Sequence, residues 1–146
     1  MKDGLRLARP DEALAKSFLN EAKSSLKRAE KDLEDGDLLW STVVIYYSDY
    51  YALYSFLQRI GIKCENHFCS ILTAERLLGV QKVKTINEHK GKRISAQYYM
   101  RTESEQKVRD MLKEAKAFVS GFEDFVSNMT DKEAEGYMEK FKSLIR

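Results

Sequence analysis

Arg93 anchors the most reactive grouping of side chains in this sequence, with His89 four residues before it and Tyr98 five residues after. If that stretch is helical, His89 and Arg93 lie on one face, where an imidazole and a guanidinium can converge on a single phosphate. The opposing reading is two polar side chains that simply face water. The surroundings favour an anionic ligand. From Gln81 to Arg101 there are six cations, Lys82, Lys84, Lys90, Lys92, Arg93 and Arg101, against the single acid Glu88. Tyr98 and Tyr99 are interleaved with them, so that Lys90, Lys92, Arg93 and Arg101 can hold phosphates while the two rings stack on bases. A solvated basic helix that only keeps the chain soluble is the plain alternative.

Two further residues stand out. Asp49 sits among five tyrosines, Tyr46, Tyr47, Tyr50, Tyr51 and Tyr54. Burying a lone carboxylate is costly, so Asp49 should face solvent, a tyrosine hydroxyl or a cation such as Arg93. His67 follows Asn66, a residue type that caps helices, and a histidine there either completes local hydrogen bonds or joins a site. Cys64 and Cys69 have neither CxxC spacing nor a companion pair, which suits reduced thiols in a cytosol and argues against a zinc centre. No glycine-rich phosphate loop, metal-ligand cluster or Ser-His-Asp arrangement is visible, and no metal or cofactor is expected.

The elements that must position these residues read as helices throughout. Pro10 precedes a stripe of Leu14, Phe18, Ala22, Leu26, Ala29 and Leu33, which predicts a helix with proline in its first turn and an end near Gly36. Asp37 caps a second helix carrying Trp40, Val43, Tyr47, Tyr50, Tyr54 and Leu57, with Gly61 as its stop. A second stripe, including Val44, Tyr51 and Phe56, makes it the central helix, with Tyr47, Tyr50 and Tyr54 largely buried. Asn66 opens a short helix that ends at Gly79. Three Thr-x-x-Glu boxes, Thr85 with Glu88, Thr102 with Glu105 and Thr130 with Glu133, predict three more helix starts. The first of these helices is short, basic and interrupted in propensity by Gly91. The second carries Val108, Met111, Leu112, Ala115, Phe118, Val119, Phe122 and Phe125. The last docks through Tyr137, Met138, Phe141 and Leu144 or Ile145. With no period-two alternation, the expected fold is all-α: one up-and-down bundle of five or six helices over 1–146, with a core at 11–127 and an added C-terminal helix at 130–145.

The second helix and its exit, YYSDYYALYSFLQRIGIKCENH, resemble the HEPN domain family through Tyr46, Tyr50, Tyr51, Ala52, Tyr54, Gly61 and His67. Arg93-Ile-Ser-Ala96-Gln97-Tyr98 is similar to that family's Arg-x-x-Ala-Asp-Tyr, and KEAKAFVSGFEDFV resembles the helix that follows it. The resemblance covers about residues 11 to 127 and implies an all-α homodimer. It also implies nucleotide or RNA binding and, in many cases, a small nucleotidyltransferase as partner in a toxin–antitoxin module. Several HEPN proteins are metal-independent ribonucleases that use an arginine followed shortly by a histidine. Here Tyr98 stands where that histidine is required, and Gln97 stands in place of the aspartate. A tyrosine is a poor general base at neutral pH.

Charge sets the outer bounds. Lys and Arg total 25 against 23 Asp and Glu, so any electrostatic partner must meet a local patch and not a global field. No signal-like or membrane-spanning apolar run is present, which points to the cytoplasm and no membrane partner. The leading expectation is a binding or regulatory protein with little chemistry of its own, acting on a nucleotide, RNA or a nucleotidyltransferase through Lys90 to Arg101. The rival is a divergent ribonuclease using Arg93, His89 and Tyr98 across a dimer. A third reading is a structural helical adaptor.

Overall fold

The computed structural model describes residues 4–146; the expectations touching Met1 to Asp3 lie outside them. Six α-helices account for nearly all of the described chain: α1 (Glu12–Glu34), α2 (Leu38–Ile60), α3 (His67–Leu78), α4 (Lys84–Tyr99), α5 (Glu105–Ser127) and α6 (Asp131–Leu144). A short 3-10 helix, Val80–Val83, leads into α4, and two-residue strands β1 (Arg6–Leu7) and β2 (Ile62–Lys63) pair antiparallel. The all-α bundle expected from the periodicity is therefore the fold.

Local chemistry accounts for most of the boundaries. Asp37 and Asn66 cap α2 and α3 by accepting from the amides of Trp40 and Cys69, and Thr130 with Glu133 forms a complete capping box at α6. Gly61 ends α2 at φ 89°, and its carbonyl accepts from the Ala8 amide at 2.7 Å. A Cβ at this position would meet the Ala8 oxygen at 2.6 Å, so glycine is required both for the left-handed backbone and for the close crossing of the N-terminal strand.

Three boundaries differ from the sequence reading. Pro10 lies just before the cap of α1, which is Asp11, and not within the first turn. Thr85 caps nothing: the 3-10 turn runs straight into α4 and already supplies an acceptor, Gln81 O, for the Lys84 amide. Helix α5 starts from Ser104, not Thr102, because left-handed Met100 (φ 55°) turns the chain and 101–104 remain outside a helix. Gly91 leaves α4 unbroken.

Helix α2 packs against all five other helices and buries most of its residues, as its apolar stripes on several sides require. Its C-terminal half meets α5 and α6 in an aromatic cluster, with the Phe56 ring 5.5 Å from Phe125 and 5.3 Å from Tyr137. Helix α6 docks through Ala134, Met138 and Phe141, while Leu144 and Ile145 stay exposed. Arg59 joins that end by donating to Met129 O at 3.0 Å and to Asp131 at 2.9 Å. Among the described residues no helix is long and apolar enough to cross a membrane.

Candidate functional site

Helices α2 and α4 run antiparallel, which brings residues around 46–49 opposite residues around 89–93. Two different environments arise from this one crossing.

The first is buried. His89 is only 1% exposed and donates or accepts at both ring nitrogens: Nδ1 to Asp49 at 2.5 Å and Nε2 to Glu114 at 3.0 Å. The expectations for both residues are thereby corrected. Asp49 faces neither solvent nor a tyrosine nor Arg93, but His89; and His89 neither shares an open phosphate site with Arg93 nor faces water. The cause is packing: α4 is in contact with α2, and the position opposite the buried Asp49 demands a polar partner. Asp49–His89–Glu114 is a tie between α2, α4 and α5.

The second environment is half-buried and lies one turn further along α4. Arg93, half-buried, holds its guanidinium carbon 4.7 Å over the Tyr46 ring and 6.0 Å from that of Tyr47. Its Nη1 donates to Gln97 at 3.2 Å, and its buried Nε has no partner among the described residues. Lys90, three residues earlier on the same face, sits 5.5 Å from the exposed Phe68 ring. His67, in the first turn of α3, closes the group: its ring stacks on Tyr50 at 3.7 Å and 20°, and its Nδ1 lies 2.9 Å from the Tyr46 hydroxyl. Neither Lys90 nor Arg93 pairs with a carboxylate among the described residues, whereas Lys92 is occupied by Glu103 at 2.6 Å.

Protonation follows from these positions. Burial pushes the Tyr46 hydroxyl well above its ordinary range, so it keeps its proton. Burial, with Arg93 and Lys90 nearby, lowers His67. A neutral His67 that accepts from Tyr46 at Nδ1 satisfies both groups and leaves the ring proton on Nε2, as a donor and not a base. His89 behaves oppositely: burial alone would lower it, but the hydrogen bond and charge of Asp49, reinforced by Glu114, outweigh burial and raise it. In linkage terms, stability contributed by His89 is complete below its ordinary value of 6.5 and is lost as pH rises through its folded value. His67 has the opposite sign, and its burden on the fold eases as pH rises toward 6.5. Imidazole proton shifts followed by NMR should give a midpoint below 6.5 for His67 and above it for His89; the reverse order would contradict this geometry.

Of the residues singled out in the sequence, the structure brings together His67, Lys90 and Arg93, and adds Tyr46, Tyr47, Phe68 and Gln97, which the basic-segment reading passed over. Tyr98 and Tyr99, 65% and 67% exposed, are at the far end of α4 beside Met100, off the Lys90–Arg93–Gln97 face. Arg101 lies beyond the helix, in the extended turn. The HEPN domain model matches residues 15–125, most of the chain, including every residue of the site. This protein belongs to the HEPN domain family. No curated protein and no solved structure gives a significant match. In this HEPN chain Tyr46 and Tyr47 of α2 lie under Arg93, α4 supplies both cations, and α3 supplies His67 and Phe68.

Trp40 was expected to share the buried stripe with Tyr47, Tyr50 and Tyr54. Only Tyr50 is fully buried; Tyr47 and Tyr54 are half-buried, and Trp40, in the first turn of α2 at the end of the bundle, is 49% exposed. The partial exposure of Tyr47 belongs to the site, because it leaves an aromatic edge beside Arg93.

Proposed function

We propose that this HEPN protein binds single-stranded RNA, or a nucleotide as its smallest equivalent, on the surface where α2, α3 and α4 meet. One observation carries the reading: Arg93 and Lys90, both without carboxylate partners among the described residues, flank His67 over an aromatic floor of Tyr46, Tyr47 and Phe68. The cations and the His67 Nε2 proton suit phosphate oxygens, and Tyr47 and Phe68 suit base faces. Among the described residues the site offers no free general base, since a His67 that accepts from Tyr46 at Nδ1 holds its proton on Nε2 and His89 is enclosed, so the reading is of a binder or regulator and not of a ribonuclease. The exposed run Tyr98–Tyr99–Met100 supports a homodimer formed at that end of α4, and a nucleotidyltransferase partner is consistent with the same surface.

Binding to a short single-stranded RNA should weaken linearly on a log–log salt plot, each neutralised phosphate contributing a slope of about −0.7. Arg93→Ala and Lys90→Ala should each flatten the slope by about that amount, while Lys92→Ala should change it little. Tyr47→Ala should lower affinity by roughly 1–3 kcal/mol at nearly unchanged slope, whereas Tyr98→Ala should leave affinity intact. Cleavage of the RNA that disappears in Arg93→Ala would restore the ribonuclease reading. The absence of any RNA affinity near 50 mM salt, a concentration at which phosphate contacts are strong, would leave the partner-protein reading.

A further inference from the structure

Cys64 and Cys69 are both free, yet their sulfurs lie 3.2 Å apart. A disulfide requires about 2.05 Å, so the sulfurs need approach by only about 1.1 Å to bond. The local chain is built to hold them there. The backbone of Cys64 is fixed at both polar groups by one side chain, the Tyr54 hydroxyl, which donates to its carbonyl at 3.1 Å and accepts from its amide at 3.3 Å. Cys69 is fixed by Asn66, whose Oδ1 accepts from the Cys69 amide at 2.7 Å. Closing the remaining gap must draw the first turn of α3, which begins at His67, toward Cys64. The residues enclosed between the two cysteines are Glu65, Asn66, His67 and Phe68, so the cross-link would close a small ring around the two members of the binding site that α3 supplies.

We infer that Cys64 and Cys69 form a reversible redox pair, oxidised by a peroxide to an intramolecular disulfide that resets the position of His67. The two sulfurs divide the work by access. Cys69 is half-exposed and meets the oxidant, whereas Cys64 is buried and its thiol is pushed up to about 12 by burial and by Cys69. The Cys69 sulfur, as thiolate, attacks one peroxide oxygen; the O–O bond breaks, giving a sulfenic acid at Cys69 and hydroxide, which takes up a proton to become water. Cys64 then gives up its proton and attacks the Cys69 sulfur, the S–O bond breaks, and the second oxygen leaves as water. Two thiols have lost two electrons and one peroxide has become two waters. An external thiol returns the pair to its reduced form by disulfide exchange.

The inference does not depend on what the site binds, because its readouts are the sulfurs and the imidazole. Full-length protein treated with a small excess of hydrogen peroxide should lose two hydrogen masses. It should also become inert to alkylation at both cysteines, yield a cross-linked peptide containing both on digestion, and recover fully with dithiothreitol. The same treatment should shift the His67 ring resonances in NMR while leaving those of His89 in place. In Cys64→Ala, Cys69 should pass to sulfinic and sulfonic acid, which dithiothreitol does not reverse, and the His67 shift should not match that of the wild type. Irreversible oxidation of Cys69 in the wild type, cross-linking only between chains, or two thiols that remain alkylatable would each overturn the redox pair. A disulfide that forms with unchanged His67 resonances would overturn its coupling to the site.

Discussion

Replacing His89 with alanine is expected to lower the unfolding free energy by about 3–5 kcal/mol at neutral pH, because it removes one partner of a fully buried charged pair. Asp49 has no exposed surface; among the described residues its Oδ1 lacks a hydrogen bond and its Oδ2 meets only His89. With the imidazole gone, α2 would carry a buried carboxylate with no donor in reach. Burial raises Asp49, against the pull of His89, even in the intact protein. Without His89 that rise can only increase. A carboxyl whose folded value is raised favours the fold when protonated, so the defect should be worst at neutral and alkaline pH and ease as acid neutralises Asp49. Urea unfolding at several pH values reads this directly. A second change, Asp49→Asn in the His89→Ala background, should recover part of the loss by removing the charge. A loss under about 1 kcal/mol, or no recovery in the double variant, would mean that the pair contributes little to holding α4 on α2.

The contrast between what the sequence made legible and what it hid follows from chemical range. Asp37, Asn66 and Thr130 act on amides three residues away, so their spacing alone announces three helix starts correctly. Thr85 and Thr102 show the same spacing and fail, because the backbone preceding them decides whether free amides exist to be capped. The bundle itself could be read from apolar periodicity, and the family from an order of motifs along α2 to α5. The site could not be read so directly. Asp49 and His89 are 40 positions apart, and the four-residue spacing of His89 and Arg93 implies only a shared side of α4. That face, however, looks at α2 and not at water. Arg93 reaches past the crossing to the Tyr46 ring, while His89, one turn earlier, meets Asp49 within it. The odd carboxylate among five tyrosines was the signal that could have located His89. A buried carboxylate needs a partner, and here that partner is His89 and not Arg93. Tyr47 and Phe68 carry no charge, so basic density along the chain points to Tyr98 and Tyr99 and not to them.

Tyr50→Ala is the other substitution expected to be severe, with a loss of about 3–5 kcal/mol. The ring is buried, stacks between Tyr54 at 5.6 Å and His67 at 3.7 Å, and its hydroxyl bonds to Ser70 Oγ at 2.9 Å. Burial pushes that hydroxyl up to about 12, so it remains a neutral hydrogen-bonding group throughout the physiological range. Tyr50→Phe separates the contributions, since it keeps the ring and its stacking and removes only the bond to Ser70, for an expected loss of about 1 kcal/mol. The pair of variants also tests how the site is supported. His67 rests on Tyr50 as well as on its bond to Tyr46, so Tyr50→Phe should leave the His67 titration nearly unchanged. In Tyr50→Ala, examined in the cold where the folded state still dominates, that imidazole should gain water and titrate closer to its ordinary value. Tyr47→Ala makes the complementary comparison. Tyr47 is half-buried and has no hydrogen bond to lose among the described contacts, so its loss in stability should be well below that of Tyr50 while its effect on RNA affinity is the larger. Chemical unfolding and RNA titration of the same three proteins would therefore rank them in opposite orders if Tyr50 supports the floor and Tyr47 forms its binding edge. Equal stability losses at the two positions would place both tyrosines in the core and remove the aromatic half of the proposed site.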